Sequence, residues 1–154
     1  IVRRLNTPIG ELTLTGSDTA LTGIYFPGRR DGRDGENRRS EILDQACRQL
    51  TEYFAGKRTT FDVPLAAHGT EFERSVWALL RAIPYGSTTS YGELAKRLGD
   101  PSQARAVGAA NGKNPIPIIV PCLRVIGANG DLTGFGGGIE RKRWLLQHEG
   151  ALLI

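Results

Sequence analysis

The chain has 154 residues, 40% of them hydrophobic, enough for one ordinary domain or two small ones with a real core. No apolar run approaches the length of a membrane span and the N-terminus lacks a signal-peptide pattern, so a membrane-spanning class is excluded and a soluble, cytoplasmic protein is expected. The net charge is +4, and residues 70–154 carry ten Lys or Arg against seven Asp or Glu, a balance that suits a polyanionic partner.

From Ile1 to Phe26, apolar residues alternate with polar ones between the turn signals Thr7-Pro8-Ile9-Gly10 and Gly16-Ser17-Asp18. This predicts strands near Val2 to Asn6, Leu12 to Gly16 and Leu21 to Phe26 in an antiparallel meander. The stretch from Gly28 to Ser40, with Arg29, Arg30, Arg33, Arg38 and Arg39, reads as a solvated mobile loop. Ile42, Leu43, Ala46, Leu50, Tyr53 and Phe54 then fall at helical spacing, with Gly56 as the stop and Cys47 inside the helix. A short strand near Phe61 to Val63 and a linker from Pro64 to Gly69 close a first domain, residues 1–65, expected to be an antiparallel sheet plus a helix.

Residues 70–154 read as a mostly helical second domain. Thr70 caps a helix whose apolar face is Phe72, Val76, Leu79, Leu80 and Ile83, and Pro84-Tyr85-Gly86 ends it. Ser90 and Glu93 form a capping-box pattern for a second helix running to Gly99, and Ser102 to Asn111 is a third. Two short helices around a tight turn make a helix-turn-helix. The third is almost bare of bulk: Ala104, Ala106, Gly108, Ala109 and Ala110 surround Arg105. The fold class is therefore α/β, a small N-terminal α/β domain followed by a helical domain.

Cys47 and Cys122 lie far apart with no secretory signal, so free thiols are expected. Together with His68 and His148 their spacings match no zinc motif, and no metal is expected. A lone cysteine is most often a small buried hydrophobe. Cys122, however, stands at the expected end of a strand, in the block Asn114-Pro115-Ile116-Pro117-Ile118-Ile119-Val120-Pro121-Cys122-Leu123-Arg124-Val125-Ile126-Gly127.

That block closely resembles the active-site signature of the O6-alkylguanine-DNA alkyltransferases, also called methylated-DNA–protein-cysteine methyltransferases. The resemblance runs from Pro84-Tyr85-Gly86 through Trp144-Leu145-Leu146-Gln147-His148-Glu149-Gly150. It implies repair of O6-alkylguanine, and of O4-alkylthymine, by irreversible transfer of the alkyl group to Cys122 after the nucleotide is flipped out of the duplex. No cofactor is implied. The implied partner is double-stranded DNA bound through the minor groove by a monomer, with cooperative binding along the DNA a further expectation.

Residue by residue, the resemblance makes Arg105 the wedge that fills the base stack. Ser90, Gln103, Ala104 and Gly108 become DNA contacts. Tyr91 rotates the target phosphate and serves the flipped base, and Asn114 braces the turn before the cysteine. The pocket wall is Asn111, Pro117, Val125 and the loop Asn129 to Gly138, including Phe135, Gly136 and Gly137. Glycine at five of those ten positions predicts a mobile lip.

Glu149 matches the glutamate of a relay in which glutamate orients histidine, histidine polarises water, and water takes the thiol proton. Leu123 stands where the family has that histidine, Phe135 where many relatives have tyrosine, and Gly136 lacks the serine hydroxyl some relatives use. An active but pH-sensitive transferase is the expectation. The alternatives are a non-catalytic lesion-binding protein and a helix-turn-helix regulator; retention of Cys122 argues against the first, and the bare third helix against the second.

Overall fold

The computed structural model describes residues 1–28, 38–127, 129–132 and 135–152. The chain divides into two units, Ile1–His68 and Gly69–Ile154.

In the first unit, β1 (Val2–Thr7), β2 (Gly10–Gly16) and β3 (Leu21–Tyr25) form an antiparallel sheet in that order. The register sets Leu5 opposite Leu12 and Leu14 opposite Ile24. Leu12 and Leu14 are buried at period-two spacing, and Leu21 and Ile24 are buried on β3, where the pairing with β2 shifts register at Thr15 and Gly16. Helix α1 (Glu41–Phe54) supplies Leu43, Ala46, Leu50 and Tyr53 to the same core. Each buried leucine or isoleucine stabilises the fold by about 1.5–3 kcal/mol. Ser40 caps the helix by accepting from the Leu43 amide, and Arg3 donates to Asp44 across to the sheet. The expected loop falls largely on residues 29–37, outside the described residues.

The expected strand at Phe61 to Val63 is not present. The Asp62 amide instead donates to the Gln49 side chain at 3.1 Å, and the Gln49 amide nitrogen donates back to the Asp62 carboxylate. A side chain thereby takes the bonds a ladder would have used. Strand-like pairing comes later, as a single parallel bridge between Leu21 and Leu65.

The second unit opens with α2 (Glu71–Arg81), whose Thr70 and Glu73 form the reciprocal capping box. Val76, Trp77 and Leu80 are buried, and the Trp77 indole donates to the Ala110 carbonyl at 2.9 Å, tying α2 to the later helix α4. After β4 (Thr89–Ser90) comes α3 (Tyr91–Arg97), capped by Ser90. The helix expected from Ser102 begins instead as a 3₁₀ turn, Pro101–Gln103, capped by Asp100, and becomes α4 at Ala104–Gly112. Pro101 at the first position tightens that start. The remaining elements are β5 (Val125–Ile126) and α5 (Ile139–His148).

Candidate active site

Cys122 does not end a strand. It starts a 3₁₀ turn, Cys122–Arg124, that leads into β5. The preceding run is buried from Ile116 through Val120, and Ile118 has φ of 75°. A β-branched residue in the left-handed region costs on the order of 1–3 kcal/mol and persists only where its surroundings impose it.

Here the surroundings are specific. The Asn114 amide nitrogen donates to the Val120 carbonyl at 2.7 Å, while its oxygen accepts from the Ile116 amide at 3.0 Å. The Val120 amide donates to the Ile116 carbonyl at 2.9 Å, and the Cys122 amide to the Val120 carbonyl at 2.8 Å. Pro117 is buried and bridges to Val120. Asn114 thus clamps a looped segment whose exit places Cys122 in the interior.

The thiol is 5% exposed, and burial pushes it up to about 11. A hydrogen bond from Asn114, the charge of Lys142 and the Cys122 and Leu123 amides oppose that rise. Leu123 is fully buried and offers no polar atom.

Two parallel pairs, Thr89 with Val125 and Ser90 with Ile126, join the start of α3 to the strand following the cysteine. Tyr91, half-buried at the first position of α3, is thereby held near this segment. A Cβ built on Gly108 would meet the Tyr91 ring at 3.7 Å, so α4 approaches α3 closely where its side chains are smallest. Arg105 and Gln103 are exposed at the start of α4, and Ala104 is half-buried. Asn111 is buried, and neither polar atom of its amide has a hydrogen-bond partner. Phe135 is half-buried, Gly136 exposed and Gly137 buried. The expected lip includes Thr133 and Gly134, which lie outside the described residues.

The carboxylate of Glu149 is held by Arg124. Nε and Nη2 of Arg124 donate to its two oxygens at 2.8 and 2.9 Å, and Nη1 donates to the Ile83 carbonyl at 2.7 Å. Tyr85 covers the guanidinium at 5.7 Å, and burial raises its phenol with the Glu149 charge adding to the rise. His148 stacks on Trp144 with ring centroids 4.9 Å apart. Lys142 is fully buried and donates to the Val125 carbonyl; burial lowers it to about 8, opposed by Cys122.

Sequence reading gave Lys142 and Arg124 no role. The signal for Lys142 was present around α5, where Lys142, Leu145, Leu146 and the capping Glu149 recur at core spacing and set two charged residues in apolar slots. Cys47 is half-buried on α1 and its thiol is raised by burial. Among the described residues no three His, Cys, Asp or Glu side chains converge as metal ligands, and no helix is long and apolar enough to cross a membrane.

Two family models match the chain, and between them they span both units. The ribonuclease-like domain of 6-O-methylguanine DNA methyltransferase matches residues 2–67, and its DNA binding domain matches residues 71–151. The methylated-DNA–protein-cysteine methyltransferase of Mycolicibacterium paratuberculosis is 50% identical over 149 residues, covering 96% of this chain and 90% of that protein. The crystal structure of the Mycobacterium tuberculosis O6-methylguanine methyltransferase superposes with a TM-score of 0.90 at 50% identity, over 97% of this chain and 92% of that one. A structure of the Mycobacterium tuberculosis OGT in complex with DNA gives 0.90 at 51% identity over the same shares. With both domain models matched in order and a full-length relative at half identity, this chain belongs to the 6-O-methylguanine DNA methyltransferase family.

Proposed function

We propose that this protein repairs O6-alkylguanine in DNA by moving the alkyl group directly onto the sulfur of Cys122, and that each molecule acts once. The observation that carries this reading is the buried thiol, clamped by Asn114 on a strained segment and joined through β4 and β5 to the start of α3. Family membership and relatives named for this activity supply the reaction class.

A buried sulfur cannot travel to a base inside a duplex, so the base must come to the sulfur. Arg105 is exposed at the head of α4 and fills the vacated space in the stack. Ala104, Gly108 and the neighbouring alanines let α4 lie in the minor groove, with Ser90 and Gln103 on the flanking backbone. Asn111, whose buried amide is unpaired within the protein, lines the pocket with Pro117, Val125, Phe135, Gly136 and Gly137.

In the displacement, the thiol first gives up its proton, which balances the one that the departing guanine takes up; a C–S bond then forms as the bond from the alkyl carbon to O6 breaks, and guanine departs with the electron pair. The Tyr91 hydroxyl protonates the leaving base. A dialkyl thioether has no easy hydrolytic return, which makes the transfer stoichiometric, and no cofactor is needed. Glu149 is a positioning residue, acting through Arg124 on the turn that carries Cys122.

We extend the proposal to O4-alkylthymine as a second substrate, to a monomer in solution that binds DNA cooperatively, and to a cytoplasmic location with access to DNA. The test is a titration of duplex containing O6-methylguanine. Lesion loss should stop at one equivalent of protein, and continued turnover by substoichiometric protein would refute the reading.

A further inference from the structure

We infer that Lys142 is the internal counter-cation of the Cys122 thiolate, replacing in this chain the help that a histidine at position 123 would give. The inference rests on Cys122 being the alkyl acceptor.

The geometry brings Lys142 from a separate element to the end of the turn that Cys122 begins. Cys122 begins the 3₁₀ turn and Val125 follows it directly. Lys142 rises from α5, fully buried, and its Nζ donates to the Val125 carbonyl. The charge at each position acts on the other.

The remaining groups around this turn are occupied or uncharged. Arg124 and Glu149 close on each other, Asn114 is neutral and bonded to the segment backbone, Leu123 is apolar, and Tyr85 lies over Arg124. His148 stacks on Trp144. The charge of Lys142 favours the thiolate.

A thiol at about 11, a value that already includes the effect of the Lys142 charge, is ionised to only about one part in ten thousand at pH 7. Relative to a thiol at the ordinary value of 9.0, about a hundredfold of thiolate is lost. The greater nucleophilicity of the more basic sulfur returns roughly tenfold of that.

Cys122 and Lys142 titrate as a coupled pair. With one proton removed in total, it interconverts between neutral thiol with neutral amine and thiolate with ammonium. One proton moves from sulfur to nitrogen, the S–H bond breaking and an N–H bond forming, with no change in net charge. The first proton leaves the pair at the pH set by its more acidic member, near 8 for Lys142. Above that pH, and until the second proton leaves towards 11, the reactive thiolate–ammonium form keeps a constant share.

Two signatures follow. Reactivity of Cys122 climbs about tenfold per pH unit below 8 and levels above it. Removing the cation lowers reactivity at pH 7 roughly tenfold or more and abolishes the levelling, since an opposite charge nearby is worth about 1–3 pKa units.

The experiment measures the rate of iodoacetamide alkylation of Cys122 from pH 6 to 10, by peptide mapping that separates it from Cys47, in the unmodified protein and in Lys142→Met. Methyl transfer from O6-methylguanine duplex is followed over the same range. A levelling profile in the parent and a slower, steadily climbing one in Lys142→Met are expected. Superimposable profiles, or a parent rate that climbs without levelling to pH 10, would overturn the inference.

If Lys142→Met does not fold, the parent profile alone decides. Iodoacetamide requires no DNA, so an absence of methyl transfer with a levelling thiol profile would count against the repair reading and leave the Lys142 assignment standing.

Discussion

Arg124 grips Glu149 at two points inside the helical unit, with nitrogen–oxygen distances of 2.8 and 2.9 Å. Both side chains are almost wholly withdrawn from water. Glu149 caps the C-terminal end of α5 and Arg124 closes the turn carrying Cys122, so the pair fastens that turn to the helix that supplies Lys142.

Removing one partner leaves a buried charge uncompensated. Glu149→Gln and Arg124→Met should each lower stability by about 3–5 kcal/mol in urea unfolding, with the double replacement recovering a large part of the loss. Strict additivity of the two effects would show that the pair is not coupled.

Lys142 is held neutral more readily in the folded chain than in the unfolded one, because burial lowers it to about 8 from 10.5. A lowered lysine opposes folding fully below its folded value, and this opposition fades as pH rises from about 8 to 10.5. Lys142→Met should therefore raise stability, most at pH 6 to 7 and least near pH 10, while slowing Cys122. Thermal melts across that range decide the matter, and a uniform loss of stability would contradict this view of the lysine.

Asn114→Ala removes both side-chain bonds to the Ile116 to Val120 loop and the bond that favours the thiolate. We expect a loss of about 1–3 kcal/mol together with slower methyl transfer at pH 7, the rate loss shrinking as pH rises. Unchanged transfer would mean the segment keeps its shape without the clamp.

Arg105→Ala changes an exposed side chain, so stability should stay within about 0.5 kcal/mol of the parent. Repair of a lesion in duplex should slow, whereas reaction with a free alkylated guanine base, which needs no flipping, should not. Equal slowing of both would move Arg105 from DNA handling into the pocket.

Much of the architecture was legible in the residues. Alternation at Leu12 and Leu14 marked the covered face of the sheet, and Thr70 with Glu73 and Ser90 with Glu93 marked helix starts whose caps form. Phe61 to Val63 misled because β-branched and aromatic content cannot reveal that Gln49, thirteen residues before Asp62, satisfies its backbone. The 3₁₀ turn at Cys122 was hidden for a similar reason, since Val125 and Ile126 do form a strand but only after the chain has turned. In the candidate site, Cys122 and Asn114 were singled out in their block and Tyr91 through the resemblance, while Lys142 and Arg124 were given no role. Their burial follows from how α5 faces the turn, a tertiary fact.

The central claim, that Cys122 receives the alkyl group, is tested most directly by intact-protein mass and peptide mapping after incubation with duplex carrying O6-methylguanine, alongside Cys122→Ser and Leu123→His. The account predicts one methyl group on Cys122 in the parent, none in Cys122→Ser, and faster transfer near neutral pH in Leu123→His. Tight binding to the lesion with no methyl gained by the parent, and gain only in Leu123→His, would contradict it.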